Sequence, residues 1–261
     1  MKKLLIWLPG MLSMLAACTE AVEIPARAPE KQSPVRVELH LTTEQQAATR
    51  AMDENCIRDV NLYLYGDTEY HFYFPSVSSP LVFNVLPGNY RSYAIANAGQ
   101  DLGDKNAFKI QFYETAVDVM ESSDAIPMTD RGTLAVDGAG RCTPSSLRVT
   151  RSAAKIAYTI EVADAVAPSL RLRSVQFCNL PLTIRPFDSG SISSTVEANY
   201  YDGEAMPVGN ERRTAGTAYL FENLQGSVDT ITDQKDKCPE NAPACATYLR
   251  ILAERSADKA L

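Results

Sequence analysis

Val35-Arg36-Val37-Glu38-Leu39-His40-Leu41 alternates an apolar residue with a charged or polar one at every step. A period of two sends successive side chains to opposite faces, so the stretch reads as a β-strand with one face in a core and the other in water. The pattern recurs downstream. Val60, Leu62 and Leu64 alternate with Asn61, Tyr63 and Tyr65, and Tyr70 to Phe74 and Leu81 to Val85 read as two more strands. Pro87-Gly88-Asn89 reads as a tight turn, because Pro presets φ and Gly tolerates positive φ. It leads into a strand over Tyr90 to Ala96, and Phe108 to Tyr113 and Leu134 to Val136 complete this half.

The same alternation restarts near Ser146. Ala154, Ile156, Tyr158, Ile160 and Val162 share one face, with Lys155, Ala157, Thr159 and Glu161 opposite. Leu170 to Leu180 is apolar but changes phase between Leu172 and Val175, which predicts a bulge or bend. Ala218 to Phe221 and Ala246 to Ala253 read as further strands. Short strands divided by Pro, Gly, Asn and Asp, with no sustained 3.6-residue pattern beyond the N-terminal segment, predict an all-β fold of sandwiches. Gly, Thr and Pro cluster in Val136 to Ser146. The predicted division falls there, into two tandem domains over residues 35–145 and 146–261.

The N-terminus carries a different message. Lys2 and Lys3 precede an apolar run from Leu4 to Ala17, shorter than the roughly 20 residues that cross a bilayer core. The run therefore reads as an export signal, residues 1–17. Its end, Leu15-Ala16-Ala17-Cys18, resembles the lipobox of bacterial lipoprotein signal peptides. That resemblance implies lipidation of Cys18, cleavage before it, and an acyl anchor such as palmitate. Several acyl chains hold firmly where one is marginal, each buried CH₂ contributing about 0.8 kcal/mol. Residues 18–34, with three prolines and few large apolar side chains after Cys18, read as a lipidated tether.

Composition narrows the partners. The chain has 25 basic and 32 acidic residues, a net charge of −7. Loss of the signal would remove two lysines and bring the balance to −9. An acidic surface argues against nucleic acid as a partner. Of six cysteines, five would remain after acylation of Cys18: Cys56, Cys142, Cys178, Cys238 and Cys245. Cys238 and Cys245 flank Pro-Glu-Asn-Ala-Pro-Ala, a segment able to fold back, and form the candidate disulfide. Buried free thiols are the alternative, since Cys packs as a small hydrophobe. There is no CxxC, and His40 and His71 are the only histidines, so zinc spacing is absent. Neither histidine has a nucleophile motif nearby, and no glycine-rich phosphate loop occurs. The sequence predicts no enzyme, no cofactor and no metal site.

Several strings in order resemble the fimbrillins of Bacteroidetes, the lipoprotein precursors of type V pili and their fimbrillin-like surface relatives. They are Leu86-Pro87-Gly88-Asn89-Tyr90 followed by Tyr93 to Ala98, Arg151-Ser152-Ala153-Ala154-Lys155-Ile156, and Tyr219-Leu220-Phe221-Glu222-Asn223-Leu224-Gln225-Gly226 followed by Ala242-Pro243 and Ala246-Thr247-Tyr248-Leu249. The resemblance implies two tandem transthyretin-like β-sandwiches and a cell-surface location on the outer membrane. It also implies a structural or anchoring role in an adhesive pilus. In that family a trypsin-like protease removes an N-terminal strand and a strand of the next subunit takes its place, a β-augmentation. Here the removable strand would be Val35 to Leu41. The cut would fall in Thr42 to Asn55, where Arg50 is the only basic residue. The family pattern continues with further strands beyond the region of Ala246 to Leu249, whereas here a polar Glu254 to Lys259 stretch follows. The second sandwich is therefore expected to be incomplete in this sequence, or the sequence to be a piece of a longer one.

The competing expectation is a surface glycan-binding lipoprotein of a polysaccharide-uptake system. Such proteins also stack β-sandwiches on a lipid anchor and use exposed aromatic rings as platforms for sugars. Tyr63, Tyr65, Tyr70, Tyr73, Tyr200 and Tyr201 are the candidate platforms, against the alternative that they are half-buried sheet residues.

Overall fold

The computed structural model describes residues 32–43, 56–111, 113–116, 126–187, 194–209, 211–226, 231–236 and 238–255. The lipidation candidate Cys18 and the processing candidate Arg50 lie outside these residues. The first half contains β1 (Val35–Thr43), β2 (Val60–Tyr65), β3 (Glu69–Phe74), β4 (Leu81–Val85), β5 (Gly88–Ala96), α1 (Ala107–Gln111), β6 (Thr115–Ala116), β7 (Met128–Val136), β8 (Cys142–Thr143) and β9 (Ser146–Arg151). Seven of these strands hydrogen-bond in the order β3-β2-β5-β7-β9-β1-β4, with β8 added to β7.

That path curls around one interior. Val37 and Leu39 from β1, Leu62 and Leu64 from β2, and Phe83 and Val85 from β4 join residues of β5, β7 and β9 in a single buried cluster. Its two end strands meet across the core, where the rings of Phe72 in β3 and Phe83 in β4 stand 4.9 Å apart. The curl depends on β9, which changes partner along its length. Its start runs parallel to β1, from His40↔Ser146 to Thr43↔Val149. Its end is antiparallel to β7, at Thr129↔Thr150 and Met128↔Arg151. The expected division within Val136 to Ser146 is thus displaced. Ser146–Arg151 is a strand of the first sheet, because Leu147 and Val149 complete the first core, and the second half opens after Arg151.

Two other local expectations change. The tight turn expected at Pro87-Gly88-Asn89 is not formed: Gly88 and Asn89 already belong to β5, and Leu86-Pro87 carries the chain from β4 to that strand, which is not paired with β4. The strand expected over Phe108 to Tyr113 is replaced by the short helix α1. Asn106 Oδ1 accepts the Lys109 backbone N–H at 2.8 Å and caps it. Ala107, Ile110 and Tyr113, spaced by three, all join a second aromatic cluster on the outer face of β2 and β5.

The second half contains β10 (Ala153–Glu161), β11 (Leu170–Cys178), β12 (Leu180–Pro181), β13 (Thr183–Ile184), β14 (Tyr200–Tyr201), β15 (Met206–Pro207), β16 (Arg213–Phe221) and β17 (Tyr248–Arg255). β10 pairs with β16, β11 stands between β15 and β17, and β12 pairs with β14. The phase change in β11 is a register shift against β17 between Leu172 and Ser174. Tyr158 and Ile160 of β10 pack with Leu172, Val175, Leu249 and Ala253 of the β11–β17 layer. Two facing layers over a shared apolar interior make this a sandwich.

The halves are joined by chain that crosses between them. β13 pairs with β6 through Thr183↔Ala116 and Ile184↔Thr115. Glu114 accepts hydrogen bonds from the Thr183 hydroxyl at 2.8 Å and from two Arg185 nitrogens at 3.1 Å. These donors hold its carboxyl below the usual range, the threonine hydroxyl most of all. Phe187 of the second half is buried against Tyr93 of β5, ring edge to ring face at 5.1 Å. Its carbonyl accepts a hydrogen bond from Arg131 at 2.7 Å. Phe187→Ala should cost about 3–5 kcal/mol by emptying this pocket, read as a fall in the urea midpoint. A change below about 1 kcal/mol would show that Phe187 is not an anchor.

Candidate strand-exchange site

β1 is the strand on which the functional expectation rests. Its first half is antiparallel to β4, from Val35↔Val85 to Leu39↔Leu81, and its second half is parallel to β9. β1 therefore links β4 and β9 in the sheet order, pairing with one along its first half and with the other along its second, and the switch of partner falls between Leu39 and His40. The alternation does what the sequence predicts: Val37 and Leu39 are 0% exposed, while Arg36, Glu38 and His40 face solvent. Loss of β1 would uncover Phe83, Val85, Leu147 and Val149 and leave edges of β4 and β9 without partners. At roughly 25 cal/mol per Å² of apolar surface, a row of four aliphatic side chains at Val35, Val37, Leu39 and Leu41 stabilises the filled groove by several kcal/mol.

Side chains and turns clasp the strand beyond its ladders. The backbone N–H of His40 donates to the Ser145 carbonyl at 3.0 Å, and the Thr42 hydroxyl to the Leu147 carbonyl at 3.2 Å. Ser79 Oγ accepts the Leu41 N–H at 3.3 Å. Cys142 Sγ donates to the Glu38 carbonyl at 3.4 Å. The turn between β7 and β8 lies on the start of β1. There Asp137 accepts the N–H groups of Ala139 and Arg141 and the Arg141 Nε, contacts that depress its carboxyl pKa, the Arg141 backbone N–H foremost. Gly140 in this turn has φ of +80°, and a Cβ there would stand 2.1 Å from the Arg36 carbonyl oxygen. Only glycine allows so close an approach to β1.

Of the six candidate tyrosine platforms, two are buried and four are half-buried. Tyr63 and Tyr65 are buried beneath the segment 97–106 and α1, and their hydroxyls donate to the carbonyls of Gly103 at 2.8 Å and Lys105 at 2.5 Å. Burial drives both hydroxyls well above the ordinary tyrosine pKa. Tyr70 packs on the first core beside Phe72 and accepts the Leu86 N–H at 3.1 Å. Tyr73 is half-buried on β3. Tyr200 donates to the Ser194 carbonyl and contacts Asn223 and Gln225, and Tyr201 packs on the second core.

Segment 97–106 is held by polar residues that the sequence did not single out. The Asp59 carboxylate, 5% exposed, accepts the N–H groups of Ala98 and Gly99. Asn61, 0% exposed, donates to the Gln100 carbonyl and accepts the Leu102 N–H, both at 3.0 Å. Asn97, at φ of +61°, bonds the backbone of Cys56, Arg58 and Ile126. A signal existed: Asp59 stands immediately before the apolar strand β2 and Asn61 within it, and a buried polar residue there requires a partner. His71 stacks on Tyr63 at 4.4 Å, with Nε2 3.0 Å from Asn61 Oδ1.

Burial lowers the His71 pKa, opposed by Asp101 and Asp104 at 3.7 and 3.6 Å. The unfolded chain therefore binds a proton more readily than the folded one, so this contribution to stability is full above the unfolded value of about 6.5 and is lost as pH falls through the folded value. His71→Asn should flatten the decline in melting temperature between neutral and mildly acidic pH. An unchanged slope would remove His71 from the account.

The remaining candidates are placed as follows. Of the candidate disulfide pair, Cys238 is half-buried and Cys245 is buried with its Sγ 3.6 Å from the Thr195 carbonyl oxygen. Asn223 of the Tyr-Leu-Phe-Glu-Asn string donates to the carbonyls of Asn179 and Cys245 and to Thr247, tying three segments of the second half together. Among the described residues no group of three or more His, Cys, Asp or Glu side chains is placed to hold a metal ion.

Residues 218–261 match the model of a domain-of-unknown-function family, DUF4906. No curated protein sequence matches the chain. Solved structures do. A candidate cell adhesion protein from Bacteroides eggerthii superposes with a TM-score of 0.57 at 13% identity, over 89% of this chain and 78% of that one. A second, from Parabacteroides distasonis, gives 0.57 at 11% identity, over 87% and 79%. The fimbrilin of Porphyromonas gingivalis W83 gives 0.50 at 14% identity, over 75% and 68%. At these identities the likeness is one of fold: this chain shares the architecture of a fimbrilin and of candidate adhesion proteins of the same bacterial group.

Proposed function

We propose that this chain is a fimbrillin-like cell-surface lipoprotein, a structural or anchoring subunit of an adhesive pilus that assembles by strand exchange. The observation that carries the reading is the position of β1. A strand with completely buried Val37 and Leu39 lies between two strands able to accept another in its place. The fold likeness to a fimbrilin and to candidate adhesion proteins supports it. In this reading Cys18 carries the acyl anchor in the outer membrane and a trypsin-like protease cuts after Arg50. β1 then leaves, and a strand of a neighbouring subunit pairs with β4 and β9. Backbone hydrogen bonds supply the affinity, and alternate apolar side chains in the sites of Val35, Val37, Leu39 and Leu41 supply the fit. The glycan-binding reading loses two of its six candidate ring platforms, since Tyr63 and Tyr65 are enclosed.

Native protein extracted in detergent should run as a ladder of heat-sensitive multimers whose subunits begin after residue 50. Arg50→Ala should keep the N-terminus at Cys18 and abolish the ladder. A protein that stays monomeric after cutting, or one that shifts with an oligosaccharide instead, would overturn the pilus reading.

A further inference from the structure

We infer that strand exchange at the β1 groove runs in one direction: the incoming strand docks first on β9, in the sites of Leu41 and Thr43, and takes the β4 sites of Val35, Val37 and Leu39 last. This order rests on the strand-exchange reading of β1 and adds to it the sequence of steps. Its origin is the change of partner between Leu39 and His40, which divides β1 into two unequal halves.

The first half is the tighter. Val37 and Leu39 are 0% exposed, and Val35 to Leu39 pair antiparallel with Leu81 to Val85 of β4. The chain between β7 and β8 holds this half as well. Gly140 lies so close to the Arg36 carbonyl that an added Cβ would stand 2.1 Å from its oxygen, and Cys142 Sγ donates to the Glu38 carbonyl at 3.4 Å. The second half is looser. Leu41 and Thr43 are half-buried. The ladder to β9, from His40↔Ser146 to Thr43↔Val149, is parallel, and parallel pairing is slightly weaker per residue than antiparallel. Fraying therefore costs least at the Thr43 end. That end leads along the chain to Arg50, so a cut there leaves it untethered.

The strand beneath the looser half keeps its place without β1. The end of β9 is antiparallel to β7 at Thr129↔Thr150 and Met128↔Arg151. The Thr150 hydroxyl donates to the Thr129 carbonyl at 3.3 Å, and the Asp130 carboxylate accepts the Arg148 N–H at 3.2 Å. β4, by contrast, is the end strand of the path and reaches the sheet through β1. When the Thr43 end lifts, Ser146 to Val149 form a fixed template while β4 is still covered by the first half of β1. Side-chain alternation then divides the labour along the incoming strand. An apolar residue in the Leu41 site, beside Leu147, lets the strand begin. Apolar residues in the Val37 and Leu39 sites, beside Phe83 and Leu81, make it stay. Contacts formed before the barrier set the rate of entry, and contacts formed after it set the lifetime.

The test uses the full chain in detergent, cut by limited trypsin treatment and confirmed by mass spectrometry to be cut after Arg50. A synthetic peptide of residues 33–43, labelled at its N-terminus, is added in excess, and its incorporation is followed by fluorescence anisotropy. The variants are made in the peptide, so the folding of the protein is not disturbed. The rate of incorporation should rise with peptide concentration. Leu41→Ala in the peptide should slow incorporation about fivefold or more, whereas Val37→Ala should leave the rate within about twofold. Val37→Ala should instead shorten the lifetime of the bound peptide about tenfold. Incorporation slowed as much by Val37→Ala as by Leu41→Ala, or a rate independent of peptide concentration, would overturn this order and leave strand exchange itself standing. Failure of every peptide to enter at any concentration would overturn the strand-exchange reading, and the order with it.

Discussion

Leu39→Asp should cost more than about 4 kcal/mol and lower the melting temperature by roughly 10 °C or more. Leu39 is 0% exposed at the middle of β1, opposite Leu81 of β4 and next to the point where the strand changes partner. A carboxylate there has no described cation beside it in the core cluster, which is wholly apolar. It must either stay protonated or leave the interior. Leaving takes β1 with it, so amides of Leu81 to Val85 and of Ser146 to Val149 should lose hydrogen-exchange protection together. The milder Leu39→Ala should cost about 2–5 kcal/mol through lost burial and a cavity. If Leu39→Asp melts like the unaltered protein, β1 does not complete this core, and the strand-exchange reading falls with it.

Gly140→Ala should destabilise β1 by about 3 kcal/mol without altering any residue of that strand. Two costs add. The backbone at φ of +80° is unfavourable for alanine, and the new methyl would meet the Arg36 carbonyl oxygen, a backbone atom with no freedom to rotate away. Gly138, two residues earlier in the same turn, has nothing within 4 Å of its Cβ position and is not in the left-handed region. Gly138→Ala is therefore the control and should lie within about 0.5 kcal/mol of the unaltered chain. Faster exchange at the amides of Val35 to Val37 in Gly140→Ala alone would locate the effect on β1. Equal behaviour of the two variants would show that the turn does not clasp the strand. If β1 is the strand lost on processing, Gly140→Ala should also speed its release after cutting.

The inward-facing Val37 and Leu39 of β1 and Tyr158 and Ile160 of β10 were legible because period two is a local property of an extended chain, whereas Ala154 and Ile156, placed on the same face of β10, are exposed. The bulge in β11 was legible for the same reason, as a break in phase between Leu172 and Val175. The helix α1 was not. Its apolar positions Ala107, Ile110 and Tyr113 carry the helical spacing, but a five-residue helix gives too few repeats to separate period three from period two. Tyr63 and Tyr65 read as half-exposed because β2 alternates. They are buried because segment 97–106, pinned by Asp59 and Asn61, covers the face that alternation would leave in water. The second half likewise begins after Arg151 rather than near Ser146, since turn residues mark where a chain bends and not which sheet the next strand joins.

From sequence alone it followed that the chain is built of strands and that Val37 and Leu39 point inward, because side-chain direction in a strand depends only on parity along the backbone. Which strands become neighbours was decided by the tertiary structure. β1 lies between β4 and β9 because burying Leu147 and Val149 with Val37 and Leu39 in one core brings together segments more than a hundred residues apart in the chain. That pairing is a competition among long-range contacts, and no local pattern encodes its outcome.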